Sequence, residues 1–487
     1  MRRETAGMMG RIWRRAAGAE EEEDRISDLP DALRLQILSL LPLKSAIRTG
    51  ALSSRWRGLW EHRWPVPSSL RLRFPGAGDQ LAAIDRRGRR RADVFSLSFH
   101  AGQLTQPDLR RCLEYAAACG VEDVQLRLDG GPGGGRGARG GQRRAGVLTV
   151  HFPVGSPLLA RLSVRGLHVT ASANAMVATL EVIHLHSVSI TDAALRRVVA
   201  ACPCLRELEL RYCRHLRRID FTTVGVGNLR TLTVVDCSRA TELRVPVAPR
   251  LRSFRFSGPL LCSNIFSGVT EGFQQLYLCS GGPETGLPPT NLPSAIPRLA
   301  NLTTLTICSI ALQYVSATGT SAIKGSNLSR LKELQLLMFG MANSNLADVF
   351  SFLKTCSCPH LERLFVQLPT NTHDSFTKNF LDVAEEEPPE GGLENLELVK
   401  MTNFKGHHNE MRLVDFLLRN GSCLNKLFLV APKEEHPQGL QKIQSDVLPH
   451  FLKQEILEKA SANTQIFFSE PDSSQVQPLH SEIFIRF

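Results

Sequence analysis

The 487-residue sequence lacks the segments that would direct it to a membrane or to the secretory pathway. Its first two dozen residues include basic side chains but no apolar run of signal-peptide length. No later apolar run approaches the length of a transmembrane helix. We therefore expect a protein of the nucleus or cytoplasm with no membrane partner, in which the 12 cysteines stay reduced and pack as small apolar side chains.

Signatures of catalysis are missing as well. The sequence contains no Gly-x-Ser-x-Gly, no His-Glu-x-x-His and no kinase-like set, and its glycine-rich stretch has no Gly-Lys-Ser/Thr signature. Cysteine and histidine cluster at Cys202, Cys204, Cys213 and His215, and again at residues 356–360. Neither spacing supplies a complete zinc ligand set in the standard order. We expect no enzyme activity, no metal and no cofactor.

The charge is unevenly distributed. The chain has 58 basic and 47 acidic residues, and the segment from Arg55 to Gly146 holds 17 arginines, no lysine and 9 acidic residues. Such a segment would attract nucleic acid or an acidic partner, and the basic run at residues 86–91 would suit nuclear import. Because no aromatic residues alternate with these arginines to stack on bases, we expect a solvated surface and no nucleic-acid partner.

A block of apolar residues near the N-terminus predicts three short helices. Asp28 is placed to cap the first helix, and Pro30 would enter it in its first turn. Apolar residues then recur at helical spacing as far as Pro42, and a second apolar face follows. A third helix is predicted from Ser53 or Ser54. So small a bundle buries a limited share of its surface, so it needs support from a partner or from the rest of the chain.

Residues 24–64 resemble an F-box of the plant type, through the order and spacing of the whole block. The resemblance implies docking on a Skp-type adaptor, which would join the chain to a cullin and hence to a ubiquitin ligase. The spacing does not separate the residues of the docking face from those of its supporting core. Together these are expected to be Leu29, Pro30, Ile37, Leu38, Leu41, Pro42, Ile47 and Trp56.

Residues 65–487 repeat the pattern L-x-x-L-x-L, with starts 21 to 32 residues apart. One repeat buries too few apolar side chains to offset the ordering of its backbone, so neighbouring repeats must stack. The pattern resembles an irregular leucine-rich-repeat array. That resemblance implies an α/β solenoid with parallel strands on the concave face and helices and loops on the convex face. The repeats start at Leu159, Leu180, Leu205, Leu229, Leu251, Phe273, Leu302, Leu331, Leu361, Leu393 and Leu424, with an earlier one at Val121.

Several segments depart from this pattern. Residues 1–23 are predicted to be a flexible tail, and the glycine- and arginine-rich residues 130–146 a disordered insertion. Residues 390–432 resemble the FBD region of plant F-box repeat proteins. The alternating apolar residues at 483–487 predict a final edge strand. The residues that carry the FBD resemblance are Asn403, Phe404, Lys405, Gly406, Glu410, Leu413, Val414, Phe416, Leu417, Leu418, Leu424 and Leu427.

The repeat register identifies a candidate binding surface. Within each repeat the second and third anchors point inward, so the residues that alternate with them line the open face. These residues are polar in the early repeats and apolar in the later ones, and we hypothesise that the apolar half binds a protein substrate. The competing interpretation is that the C-terminal tail folds over this half. The residues concerned are Tyr277, Leu337, Phe365, Val399, Phe428 and Val430.

The sequence therefore predicts a non-catalytic substrate receptor, with an F-box that docks the adaptor and repeats that hold an unknown protein target. One alternative is a basic nucleic-acid-binding scaffold that uses residues 86–91 and 136–144. A second alternative is an F-box protein that acts outside a ligase, or a small-ligand receptor built on the repeats.

Overall fold

The computed structural model divides the chain into two compact units, Met1–Ser69 and Leu70–Phe487. We describe each unit by itself. The structure describes residues 29–41, 43–51, 53–62, 69–74, 81–82, 84, 91–129, 147–222, 224–244, 248–258, 273–280, 300–316, 328–356, 358–370, 388–389, 391–432, 450–461, 463–469 and 476–484.

The first unit contains short helical elements, as the apolar spacing predicts. Helix α1 spans Asp31–Ser39 and helix α2 spans Leu43–Thr49. The predicted third helix is instead a pair of 3-10 turns, Ser54–Trp56 and Leu59–His62. Pro30 is the N-cap residue of α1 and does not lie inside its first turn. Asp28, the predicted cap, lies outside the described residues.

A buried arginine holds these elements together. The side chain of Arg34 is only 4% exposed, although arginine rarely lies inside a protein. Its Nε donates a hydrogen bond to the carbonyl of Leu29 at 2.9 Å, and its other nitrogens reach Asp31 and the carbonyl of Arg55. Arg34 therefore ties the start of α1 to the first 3-10 turn. These partners compensate for the burial of its charge.

The second unit is built on a sheet of fifteen strands in the described part of the chain. In spatial order the strands are β1 (Ser69–Phe74), β2 (Val94–His100), β3 (Asp123–Asp129), β5 (Arg161–Arg165), β7 (Val182–His186), β8 (Glu207–Arg211), β10 (Thr231–Val235), β12 (Ser253–Gly258), β13 (Gln275–Ser280), β14 (Thr304–Cys308), β15 (Glu333–Leu337), β16 (Arg363–Gln367), β17 (Leu398–Thr402), β18 (Lys426–Val430) and β19 (Gln465–Phe467). From β2 to β19 all neighbouring strands are parallel.

Helices and short strands run between the main strands and cover one face of the sheet. Two small parallel pairs join β4 (Thr149–Phe152) to β6 (His168–Ala171) and β9 (Arg218–Asp220) to β11 (Glu242–Arg244). The helices are α3 (Gln106–Ala118), α4 (Asp192–Ala200), α5 (Ser309–Ser316), α6 (Asn343–Thr355), α7 (His408–Asn420) and α8 (His450–Lys459).

The L-x-x-L-x-L anchors form the core between the sheet and these return segments. Leu208, for example, pairs in register with Ile183 on one side and Leu232 on the other, and all three are completely buried. Each strand therefore contributes the same two apolar positions to one continuous core, as stacking repeats require. The α/β repeat array predicted from the sequence is confirmed.

One repeat has a different register from the one predicted. The pattern that starts at Leu393 would place Val399 on the face opposite the anchors. In the structure Val399 pairs with Leu364 and with Leu427, which are both anchors, and it is completely buried. The face opposite the anchors instead carries Lys400, which pairs with Phe365, and Thr402, which takes the position after the third anchor that was assigned to Val399. The error arises because Leu393, Leu396 and Leu398 imitate the repeat pattern three residues early. The strand pairing makes Leu396, Val399 and Met401 the anchors.

The terminal strand predicted at residues 483–487 is described only in part. Residues 481–484 form no strand, and within the described residues the last strand of the sheet is β19. Ile483 lies in this irregular segment, while residues 485–487 lie outside the described part of the chain. The predicted flexible tail at residues 1–23 and the insertion at residues 130–146 also fall outside it.

The corrected register makes a stability prediction. Val399→Ala should lower the free energy of unfolding by about 1–3 kcal/mol, because it removes buried methyl groups from the anchor row. Val430 lies on the opposite face and is partly exposed, so Val430→Ala is a matched control with a smaller effect. Urea unfolding of the two variants measures the difference. Equal losses would contradict the register described here.

Candidate functional site

Helix α1 carries an exposed apolar stripe. Leu33 is 47% exposed, Ile37 38% and Leu40, which caps the C-terminus of the helix, 82%. These residues recur at helical spacing and face away from Arg34 and Leu38, which are buried. Neighbouring exposed apolar side chains on a short helix are typical of an interaction surface. We call Pro30, Leu33, Ile37, Leu40 and Leu41 the helix stripe.

The structure divides the predicted F-box residues into buried and exposed ones. Leu38, Ile47 and Trp56 are buried and form part of the core of the first unit. Pro30 and Ile37 are exposed, and Leu29 and Leu41 are partly exposed. Pro42 lies outside the described residues. Leu33 and Leu40 were absent from the predicted set, although their spacing from Ile37 would have revealed the stripe.

The second candidate surface is the face of the large sheet opposite the anchors, here called the inner face. Its early strands carry a row of alternating charges. The Arg161 guanidinium lies 3.9 Å from the Asp123 carboxylate and 3.5 Å from Nδ1 of His184. Nε2 of His184 donates a hydrogen bond to Glu207 at 2.8 Å. These four side chains come from β3, β5, β7 and β8. The strand register aligns Asp123, Arg161 and Glu207 in one row, and His184 lies two residues further along β7 on the same face.

The charges of this row shift the pKa of His184. Burial acts to lower it, but the hydrogen bond to Glu207 and the charges of Glu207 and Glu209 outweigh burial, so the pKa of His184 lies above its ordinary value. Burial acts to raise the pKa of Glu207, and the hydrogen bond and charge of His184 hold it below its ordinary value instead. The pair is therefore an ion pair on the acidic side of neutrality.

The C-terminal segment, residues 476–484, covers the inner face of the later repeats. At one end Nζ of Lys400 donates to the carbonyl of Val476 at 2.8 Å. Next, the amide of Leu479 donates to the Glu333 carboxylate at 2.6 Å. The segment therefore runs across the strands, from β17 towards the earlier repeats.

The other end of the segment is held by side chains. Nδ1 of His480 lies 2.8 Å from the hydroxyl of Thr306, and the amide of Phe484 donates to the Tyr277 hydroxyl at 3.2 Å. Arg211 contacts both oxygens of the Glu482 carboxylate, at 2.5 and 2.9 Å. His480 and Phe484 are 1% and 8% exposed, so this end is part of the folded core.

This arrangement corrects the expectation of an open apolar surface. Five of the six predicted residues, Tyr277, Leu337, Phe365, Val399 and Phe428, are buried, and Val430 is partly buried. Tyr277 lies under the C-terminal segment, with its ring centroid 5.0 Å from that of Phe484. Phe428 stacks on Phe467 of the neighbouring strand at 4.7 Å. The competing interpretation, a tail folded over this half, describes the structure.

The FBD-like residues form a capped turn between β17 and helix α7. The Glu410 carboxylate is 2% exposed and accepts hydrogen bonds from the amides of Lys405, Gly406 and His407 at 2.9, 2.8 and 3.2 Å. Asn403 has a positive φ of 62° and donates through Nδ2 to a backbone carbonyl at 2.8 Å. These residues therefore position α7 in the repeat array.

The cysteine clusters are explained by packing. Burial raises the pKa of Cys202, Cys356 and Cys358 to about 12, which keeps these thiols protonated. In the part of the chain that the structure describes, no three His, Cys, Asp or Glu side chains are arranged to hold a metal ion. Cys202, Cys356 and Cys358 are buried and pack as small apolar side chains of the array.

Of the two basic segments, the structure describes only Arg91. Residues 86–90 and 136–144 lie outside the described residues. Arg91 is described, and its Nη2 lies 3.1 Å from the Glu122 carboxylate.

Among the helices of the described ranges, none combines the length and the apolar character needed to cross a membrane.

One parallel strand per repeat, with stacked apolar anchors and returning helices, defines a leucine-rich-repeat protein, and here a small helical unit precedes the repeats. The family model described as "At1g61320/AtMIF1, LRR domain" matches residues 158–467, and the F-box domain model matches residues 26–65. The repeat model covers more than half of the chain. The chain belongs to the F-box/leucine-rich-repeat family.

Curated relatives come from Arabidopsis thaliana. The chain is 26% identical to F-box/LRR-repeat protein At5g02910 over 307 residues, which are 60% of this chain and 62% of that protein. It is 25% identical to F-box/FBD/LRR-repeat protein At1g78750 over 458 residues, 85% and 91% of the two chains. A stretch of 38 residues is 74% identical to F-box/FBD/LRR-repeat protein At2g04230, and it covers 8% of each. These comparisons indicate no enzyme family.

The inner-face charge row predicts a pH-dependent stability. The pKa of His184 is raised in the folded chain, so protonated His184 stabilises the fold. This stabilisation is fully present below the ordinary histidine pKa near 6.5 and is lost as the pH rises through the raised pKa. His184→Gln should therefore reduce the free energy of unfolding more at pH 6 than at pH 8. In the wild-type chain His184 and nearby arginines hold the pKa of Glu207 below its ordinary value, so Glu207 is ionised there at both pH values. Urea unfolding at the two pH values provides the test, and an equal loss at both would refute it.

Proposed function

We propose that this protein is a substrate receptor of a Skp-cullin-F-box ubiquitin ligase. Its F-box binds a Skp-type adaptor, and its repeats hold a protein target while other subunits of the ligase transfer ubiquitin. The protein itself performs no catalysis in this scheme. It acts in the nucleus or cytoplasm, where such ligases and reduced cysteines coexist.

The helix stripe is the observation that carries this proposal. An F-box unit with Leu33, Ile37 and Leu40 exposed leaves apolar area in water, and burying such area against a partner is favourable. The core residues Leu38 and Trp56 fix the helices that present the stripe. Because the buried guanidinium of Arg34 ties α1 to the first 3-10 turn, the docking surface is preorganised.

The family and the repeats support the other half of the proposal. Relatives that share most of their length with this chain are named as F-box/FBD/LRR-repeat proteins. Repeat arrays present a long surface that suits protein recognition. The charged part of the inner face, which includes Arg161 and His184, is offered for target recognition, whereas the part near Tyr277 is covered by residues 476–484.

The test compares exposed residues inside and outside the helix stripe. Leu33→Ser combined with Ile37→Ser should weaken capture of a plant Skp-type adaptor by about ten-fold or more, because both changes remove apolar side chains from the docking face. Neither change should move the thermal unfolding of the chain appreciably, since both side chains are on the surface. Leu158→Ser is the matched control, because this repeat residue is 48% exposed and lies outside the stripe.

Quantitative pull-down or calorimetry with purified adaptor provides the measurement. Adaptor capture that is equally strong with wild type and with the Leu33/Ile37 double variant would contradict docking through the stripe. Loss of capture in the Leu158 control as well would show that the assay responds to surface leucines in general.

A further inference from the structure

The C-terminal segment lies on the inner face as an extended peptide would lie in a binding groove. From Val476 to Ser481 its residues alternate in environment: Val476, Pro478 and His480 are buried or partly buried, whereas Gln477, Leu479 and Ser481 are exposed. Glu482 is exposed as well, and Phe484 is buried. This period of two is that of an extended chain that presents every second side chain to a surface. Such a segment is held by side-chain recognition at alternate positions.

The strongest recognition element is the site for the acidic side chain. Glu209 orients Arg211, because its carboxylate lies 2.6 Å from Nε of Arg211. The same guanidinium then contacts both carboxylate oxygens of Glu482. A guanidinium fixed in this way selects a planar carboxylate by its two-point geometry.

An aromatic site adjoins it. The ring of Phe484 lies 4.8 Å from Cζ of Arg211 and meets the Tyr277 ring nearly edge-on at 5.0 Å. The Tyr277 hydroxyl also accepts the amide hydrogen of Phe484. Arg211 therefore contacts both side chains of a Glu-x-aromatic pair. The groove recognises this spacing because one arginine bridges the two sites.

The segment leaves hydrogen-bonding groups of the groove unused. On β12, which lies between the strands of Arg211 and Tyr277, the hydroxyls of Ser253 and Ser257 and Nε of Arg255 are buried. Within the described residues none of these three atoms has a hydrogen-bond partner. Buried polar atoms without partners are costly, so a segment with additional acceptors would bind this groove better than residues 476–484 do.

We propose that the inner face from β8 to β17 is a binding groove for an extended segment of a partner protein that carries an acidic residue two positions before an aromatic one. The chain's own residues 476–484 occupy this groove and compete with the partner. This inference deepens the proposed receptor function, because it assigns the chemistry of the target segment. A partner has to displace an intramolecular competitor that is always present at high effective concentration.

The test measures peptide binding to the full chain. The probe is a fluorescently labelled peptide with the sequence of residues 476–484, VQPLHSEIF. The receptor is either wild type or the full chain with Glu482→Ala and Phe484→Ala, which weakens its own segment and leaves the groove unchanged. Fluorescence anisotropy should show binding to this opened variant at least ten-fold tighter than to wild type.

Two controls test the chemistry of recognition. A peptide with glutamine in place of its glutamate should bind the opened variant about ten-fold or more weakly, because it loses the charge of the two-point contact. Adding Arg211→Ala to the opened variant should have the same effect on the unchanged peptide. Thermal unfolding checks that the opened variant is folded; if it is not, the full chain with Glu482→Gln alone replaces it.

Several results would overturn the inference. Equal affinity for the glutamate and glutamine peptides would show that the groove does not select an acidic residue. Equal peptide binding by wild type and the opened variant, or none by either, would leave residues 476–484 with a structural role only. Loss of the folded repeats in both segment variants would also show that the segment has only a structural role. Adaptor capture is measured separately, so peptide binding that fails while capture persists would refute this inference alone.

Discussion

The constraint on which the second unit depends is the parallel register that each strand shares with the next. Within one repeat the two apolar anchors cannot stabilise the chain, so every repeat needs its neighbours on both sides. Once the register places anchors such as Leu208 and Leu232 on one face, the alternating positions must lie on the other. The ion pairs of the early strands and the groove of the later ones both result from that alternation.

Much of this architecture follows from local sequence pattern. The spacing of leucines revealed the F-box, the repeats and the core positions of most strands, because these features depend on residues close together in the chain. The register near Val399 was wrong because two overlapping leucine patterns compete there, and only the pairing with β16 and β18 selects one. The leucine pattern of this repeat alone does not determine which of the two registers the strand adopts.

Contacts between segments that are far apart in the chain could not be predicted from local sequence patterns. Glu482 and Arg211 are 271 positions apart, and nothing in either local pattern pairs them. Similarly, the spacing of apolar residues in the F-box did not distinguish the exposed Ile37 from the buried Leu38. Which face of the helix is buried depends on where the neighbouring elements pack against it. The role of Arg34 was missed for the same reason, because surface and buried arginines look alike in a sequence.

Central to the proposed function is docking of an adaptor on the exposed face of α1, while the repeat sheet remains available for a target. Hydrogen–deuterium exchange of the full chain, with and without a saturating amount of Skp-type adaptor, tests this docking most directly. We expect slower exchange of amides in Asp31–Ser39 on adaptor binding and unchanged exchange in the strands from β8 to β17. Unchanged exchange in that helix, or protection centred on the repeat sheet, would contradict docking through α1.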